Sequence, residues 1–380
     1  MKSSKKWLAT YLVCWMIMLG AVIALVVYID PNMHYHKPLT DRFYYHWGNQ
    51  RSINDGIIRQ YDYDAILTGS SEADNFKPSV ADQLFDVKSI KITYDATTYK
   101  EINDNLERAL KKNPKTKMVI RVVDTNSFFQ EADELPFEKS YYPEYLYNSN
   151  PFDDVKYIFN RTVLYETIGE MLLNSKTGIT DMDHFSWAEE RTEGDLPKRT
   201  YGSYFISNHI PYEKTEQWEQ LCDDDKERIR QNITQNITSV ADKYPQTQFY
   251  YLIPPYSAAW WWDVEQKAAL LNKERDAEEY IIEMLLQHEN IHLFSWNDQF
   301  WLTTNLNNYK DVVHYGPWVN EWMLYQVKQG NGLLTKDNYQ EYLQTVYGFY
   351  EEYDFNELLT QEDDPNDAPP AYFSDHSYLS

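Results

Sequence analysis

Asp64-Ala65-Ile66-Leu67-Thr68-Gly69-Ser70-Ser71-Glu72 is the stretch whose reading decides the fold. An apolar, β-prone run passes straight into Gly-Ser-Ser, and a helix start follows at Pro78-Ser79. The pattern predicts a buried strand ending in a tight turn, with a serine held at the strand's carboxyl edge. In open α/β sheets ligands and reacting groups collect at that edge. Gly69 permits the sharp turn, and amides after it can face an anion. A lone serine after a strand is ordinarily a turn former or helix cap. A second segment lifts this one above that background: Asp311-Val312-Val313-His314-Tyr315-Gly316, far downstream.

Between these two segments short β-prone runs alternate with helical patterns. Strands are expected at Ala65–Thr68, Ser89–Thr93, Lys117–Val123, Gln248–Ile253 and Ile291–Phe294, with helices at Val80–Phe85, Tyr99–Lys112, Tyr212–Lys243 and Val264–His288. Such alternation implies an α/β domain with a parallel sheet and helices on both faces. Residues 130–207 break the rhythm and read as an insertion at the carboxyl edge, with a helix near Asp154–Leu173. Helices are expected again at Trp318–Gln329 and Asn338–Glu352. Asn54-Asp55-Gly56 reads as a turn. The domain is expected to span 29–355, and the acidic, Pro-containing residues 356–380 to be disordered.

Upstream, Trp7 to Tyr28 is an uncharged apolar run long enough to cross a bilayer as a helix, with Trp7 and Tyr28 at its ends as interfacial anchors. Lys2, Lys5 and Lys6 precede it and Asp30 follows, which predicts a cytoplasmic N-terminus and an extracytoplasmic remainder. Residues 1–28 therefore read as an uncleaved anchor; a cleaved signal peptide, whose apolar region is shorter, is the rival. With 35 Lys and Arg against 59 Asp and Glu the net charge is −24, which excludes a nucleic-acid partner that demands a basic face. Cys14 and Cys222 cannot pair, so the fold stands on its core. His34 and His36 lack further ligands at metal-binding spacing, and neither a metal nor a cofactor is expected. Trp260-Trp261-Trp262 reads equally as a sugar platform, core packing or a membrane-proximal contact.

A serine becomes a nucleophile when a base takes its proton and a third group orients that base. His314 is the natural base. Asp311, three residues earlier, reaches its other ring nitrogen if the segment turns, so Asp-x-x-His is a compact orienter and base.

Here the chain resembles the SGNH/GDSL hydrolase superfamily, whose nucleophile follows the first strand and whose Asp-x-x-His stands in a last block. It resembles more closely a membrane-anchored bacterial subgroup, through Asp30 to Pro38 after the anchor, Gly69-Ser70-Ser71 followed by Asn75-Phe76, Pro254-Pro255-Tyr256-Ser257, and Asn308 to Tyr315. The resemblance implies a three-layer, flavodoxin-like sheet, with Ser71 as nucleophile, His314 as base and Asp311 as orienter. Two family features differ. The second-block turn reads Tyr94-Asp95-Ala96-Thr97 without the family's Gly, so the oxyanion amide falls to Asp95 or Ala96. The third block ends Asp124-Thr125-Asn126-Ser127, which makes Asn126 the candidate side-chain oxyanion donor beside the Ser71 amide. The implied function is an O-acyltransferase or esterase acting on acyl groups of a cell-envelope polysaccharide or teichoic acid, with a membrane-bound O-acyltransferase as partner. The alternative is a non-catalytic glycan-binding or assembly protein on a degenerate scaffold of this kind.

Overall fold

The alternating signals between Asp64 and Gly316 fold into a mixed α/β structure around one six-stranded, mostly parallel sheet. The computed structural model describes residues 2–45, 49–173, 181–188, 201–214, 219–267, 269–364 and 369–374. The elements run α1 (Lys2–Ile29), α2 (Gln50–Gln60), β1 (Ala65–Gly69), α3 (Pro78–Phe85), β2 (Ser89–Thr93), α4 (Tyr99–Lys112), β3 (Met118–Val122), α5 (Val155–Ile158) and α6 (Ile168–Leu173). They continue with α7 (Asp223–Ile233), α8 (Ser239–Lys243), β4 (Gln248–Ile253), α9 (Ala258–Trp262), α10 (Leu271–Leu285), β5 (Ile291–Ser295), α11 (Phe300–Thr303), α12 (Pro317–Gln329), β6 (Leu333–Leu334), α13 (Tyr339–Glu352) and α14 (Ala371–Ser374).

The chain divides into two compact units: residues 1–61 with 137–181, and residues 62–136 with 182–380. The stretch read as an insertion at 130–207 is thus shared between them, and its residues 174–180 and 189–200 lie outside the described residues.

In the first unit α1 is long and apolar enough to cross a membrane, as an anchor or as a signal sequence. Its carboxyl end is built into the unit: Val26 and Ile29 are buried. A helix ends with carbonyls that lack intrahelical partners. Here Asp30 N–H donates to Val26 O at 2.8 Å, His36 Nε2 to Val27 O at 2.9 Å and the Tyr45 hydroxyl to Ile29 O at 2.6 Å. Asp30 itself turns into the left-handed region (φ 45°). Its carboxylate accepts the amides of His34, Tyr35 and His36 and the Tyr157 hydroxyl at 2.7–3.0 Å. Asn54-Asp55-Gly56, expected as a turn, instead lies inside α2. Gly56 is needed there for close approach, because a Cβ would stand 2.0 Å from Asn32 O.

In the second unit the strand order is β2-β1-β3-β4-β5-β6, parallel except for the β5–β6 pair. Alternate side chains of a strand point to opposite faces. Ala65, Leu67, Ile120, Val122, Leu252 and Phe294 share one core with Ala81 of α3 and Val319, Trp322 and Met323 of α12. On the other face Arg121 donates to Asn236 O at 2.8 Å and the Tyr251 hydroxyl to Ile237 O at 3.0 Å, both at the junction of α7 and α8. The three consecutive tryptophans are core, not a platform: all are buried, with Trp260 stacked on Tyr256 and Trp261 on Tyr350, each at 4.4 Å. Residues 356–380, expected as disordered, fold where aromatic and aliphatic side chains anchor them. Phe355–Thr360 forms a 3₁₀ turn with Leu358 buried, and Phe373 enters the sheet core; 365–368 and 375–380 lie outside the described residues.

Candidate functional site

All five residues of β1 are buried, so the chain leaves the sheet only at Gly69. Gly69 adopts φ +148°, and a Cβ there would meet Ala73 Cβ at 2.9 Å and Val122 N at 3.3 Å. No other residue makes that exit without displacing its neighbours. Ser70 is extended, and Ser71 opens a 3₁₀ turn through Ala73. The hydroxyl of Ser71 is thereby presented, half-buried, at the carboxyl edge.

The downstream segment closes on itself. Tyr309 and Tyr315 form an antiparallel bridge, Lys310 N–H donates to His314 O, and Gly316 N–H donates to Asn308 O, both at 2.8 Å. Inside this loop Asp311 Oδ1 accepts the amides of Val313 at 3.0 Å and His314 at 2.8 Å. From outside, Ser257 Oγ donates to Val312 O at 2.7 Å and the Tyr309 hydroxyl to Pro255 O at 2.8 Å, so the Pro-Pro-Tyr-Ser segment braces the loop.

The two ends meet. Ser71 Oγ lies 2.7 Å from His314 Nε2, and His314 Nδ1 lies 2.8 and 3.0 Å from the carboxylate oxygens of Asp311. Burial alone raises the Asp311 pKa. The His314 ring and the two backbone amides outweigh it and hold the group below the usual carboxylate range. An ionised carboxylate only accepts, so Nδ1 carries the hydrogen and Nε2 is left as acceptor for the serine proton. The arrangement can deprotonate Ser71 and stabilise the imidazolium that results.

The Asp95-Ala96 turn follows β2, beside the end of β1: Gly69 pairs with Thr93, and Tyr94 N–H donates to Gly69 O at 3.1 Å. Ala96 takes φ 46°, a left-handed conformation ordinarily reserved for Gly. Asn126 sits in the Thr125–Phe129 3₁₀ turn after β3, and its side chain lies outside the described residues.

Trp187, Lys310, Glu72 and Asp124 were given no role by the sequence. Trp187 donates its indole N–H to Ser71 O at 2.9 Å and packs edge-on to the His314 ring at 5.8 Å. The segment bearing it is pinned down by Asp183, which accepts from the Ser79 amide at 3.0 Å, and by Ser186 Oγ on Asn75 Oδ1 at 2.5 Å. The Lys310 ammonium lies over the Trp187 ring at 4.5 Å. Glu72, next to the serine, is buried, and burial with the neighbouring charges of Asp124 and Asp311 pushes its pKa well above the ordinary range. Its backbone carbonyl accepts from Asn320 Nδ2 at 2.8 Å, which ties α12 to the serine turn. Asp124 accepts the Tyr256 hydroxyl at 2.5 Å. Among the described residues no three His, Cys, Asp or Glu side chains are arranged to hold a metal.

No family model and no curated protein matches the chain. Among solved structures it is similar to one from Streptococcus pneumonia described provisionally as a platelet activating factor, at 11% identity and a TM-score of 0.34, covering 78% of this chain and 90% of that one.

Proposed function

We propose that the chain is a membrane-anchored serine O-acyltransferase or esterase of the SGNH/GDSL type, working on acyl groups of a cell-envelope polysaccharide or teichoic acid. The observation that carries this reading is the continuous hydrogen-bonded series Ser71–His314–Asp311 at the carboxyl edge of a parallel sheet. The strand order 2-1-3-4-5 of the parallel strands, with side chains packed on both faces, supports the finer reading of a three-layer, flavodoxin-like fold. Ser71 attacks an ester carbonyl as His314 takes its proton. The acyl group stays on Ser71 while His314 returns the proton to the leaving alcohol, and a sugar hydroxyl or water then takes the acyl group. The Ser71 and Ala96 amides are the oxyanion donors in this scheme, each worth on the order of 10²-fold or more in rate. An apolar helix at the N-terminus favours a site held outside the membrane beside lipid-linked donors, with a membrane-bound O-acyltransferase as the supplier of acyl groups.

The test is covalent labelling of the full chain in detergent by a fluorophosphonate probe. Labelling is expected on the peptide that contains Ser71 and is lost in Ser71→Ala. If a folded chain takes no label while a known serine esterase does, the nucleophile reading fails and a glycan-binding role replaces it.

A further inference from the structure

We infer that the first compact unit makes a second membrane contact beside α1: the exposed row Phe152, Val155 and Phe159, extended by Tyr165, Leu172 and Leu173, beds into the headgroup region of the bilayer that α1 crosses. The inference rests on reading α1 as a retained anchor.

The row is apolar where a water-facing surface has no reason to be. Phe152 is 86% exposed, Tyr165 77% and Leu173 80%. Backbone bonds continue helically from Asp153 N–H on Asn150 O to Phe159 N–H on Val155 O, so positions 152, 155 and 159 share one side. Tyr157 points the other way and is buried. In α6 and the turn before it, Val163, Ile168 and Met171 are likewise buried, leaving Tyr165, Leu172 and Leu173 outside. A cluster of largely exposed apolar side chains on neighbouring elements marks an interaction site.

Continuity with α1 identifies the occupant. From Trp7 to Tyr28 the helix is about 33 Å long at 1.5 Å per residue, close to the ~30 Å of a bilayer's hydrocarbon core. Residue 30 then lies at the membrane surface. Tyr157 is bonded directly to this point, giving its hydroxyl to Asp30 Oδ1 at 3.0 Å and accepting the Asn32 amide at 3.1 Å. The short helix that carries the row is therefore tied directly to the point where α1 emerges.

Charge separates the two units. Beyond α1 the first unit carries 8 Lys and Arg against 10 Asp and Glu, whereas the remainder of the chain carries 24 against 49. Lys156 and Arg161 are exposed beside the row, as are Glu166 and Glu170. Exposed aromatic and aliphatic side chains are the composition of interfacial helices, and a bilayer surface with anionic headgroups repels this nearly balanced segment far less than the strongly acidic remainder.

The test uses the full chain with Cys14→Ser and Cys222→Ser, reconstituted in vesicles containing anionic lipid. Single cysteines at Phe152, Val155, Phe159 or Leu173 carry an environment-sensitive fluorophore. Quenching by a lipid-borne spin label near the headgroup is expected to exceed quenching by aqueous iodide severalfold. Ile17→Cys, within α1, serves as the anchor control and is expected to respond to a label deep in the acyl chains. If position 17 responds to lipid while the row responds to iodide, the inference is overturned with the anchor reading intact. If position 17 does not respond to lipid, the anchor reading falls and takes the inference with it. Protection of the row from both quenchers means that protein covers it, which also overturns the inference.

Discussion

The first unit, near neutral in charge, leaves Phe152, Tyr165 and Leu173 in the open. The second, with 49 of the 59 acidic residues, turns its largest aromatics inward: Trp261, Trp262 and Trp296 are among its most buried side chains. The same amino-acid alphabet is thus spent in opposite ways. In the second unit apolar side chains of α3 and α12 cover a sheet whose exit turn presents a serine. In the first, polar groups are drawn inward to fasten the end of one helix, and several large apolar side chains stay outside. On the proposed function and the inference drawn from it, the difference separates two tasks, chemistry and seating, and each should be open to damage without the other.

The largest effect is expected from His314→Ala. Loss of a triad base costs on the order of 10⁴-fold or more in turnover, measured as hydrolysis of an activated acetyl ester. Membrane association of the same variant should be unchanged; if turnover persists, the chemistry does not lie where the contrast puts it. Next is Gly56→Ala in the first unit. Its Cβ collides with the Asn32 carbonyl, and overpacking of this kind costs roughly 1–3 kcal/mol. Protease sensitivity between Asp30 and Gln60 should rise while fluorophosphonate labelling of Ser71 is retained. Joint loss of both would break the separation.

A pH signature belongs to the second unit. Burial, with help from Asp124 and Glu278, raises Glu274 to about 8, and burial raises Glu278 to about 7, from an ordinary 4.5. Between these limits the folded chain holds protons that the unfolded chain has released, so the contribution of this pair to stability is full below pH 4.5 and is lost as pH rises through about 7 to 8. Glu274→Gln should flatten that decline in denaturant melts between pH 5 and 8. A slope identical to that of the parent would show that Glu274 does not titrate in this window. The smallest effect is expected from Trp187→Phe, which keeps a ring beside His314 but removes the N–H from the Ser71 carbonyl. One hydrogen bond of about 1 kcal/mol corresponds to a several-fold fall in turnover, with ester affinity preserved.

Local pattern made the sheet legible. The five parallel strands fall within one residue of the bounds expected from their β-prone runs, and α4 ends where its period ends. The residues of Asp-x-x-His and Gly-Ser-Ser were legible for the same reason: each is a short segment whose chemistry is local. What the sequence hid depends on contacts between distant segments. Trp187 follows no periodicity and matters because Asp183 and Ser186 fix its segment over the serine turn. Gly56 resembled a turn glycine because a close backbone crossing leaves no mark in its neighbours. Arg121 sits in an otherwise apolar strand and is tolerated there by the Asn236 carbonyl and the face of Tyr99, 4.9 Å away. Leu333–Leu334, too short to show alternation, becomes a strand only by pairing with β5.

The bond between Tyr157 and Asp30 joins residues 127 positions apart. At a ribosomal rate of about 5–20 residues per second, some 6–25 s separate the emergence of the two. During that interval Asp30 lacks one of its four donors, and the first three strands of the sheet have already been made. The nascent chain can therefore complete its first unit only after the second has begun, and the second only after the first is whole.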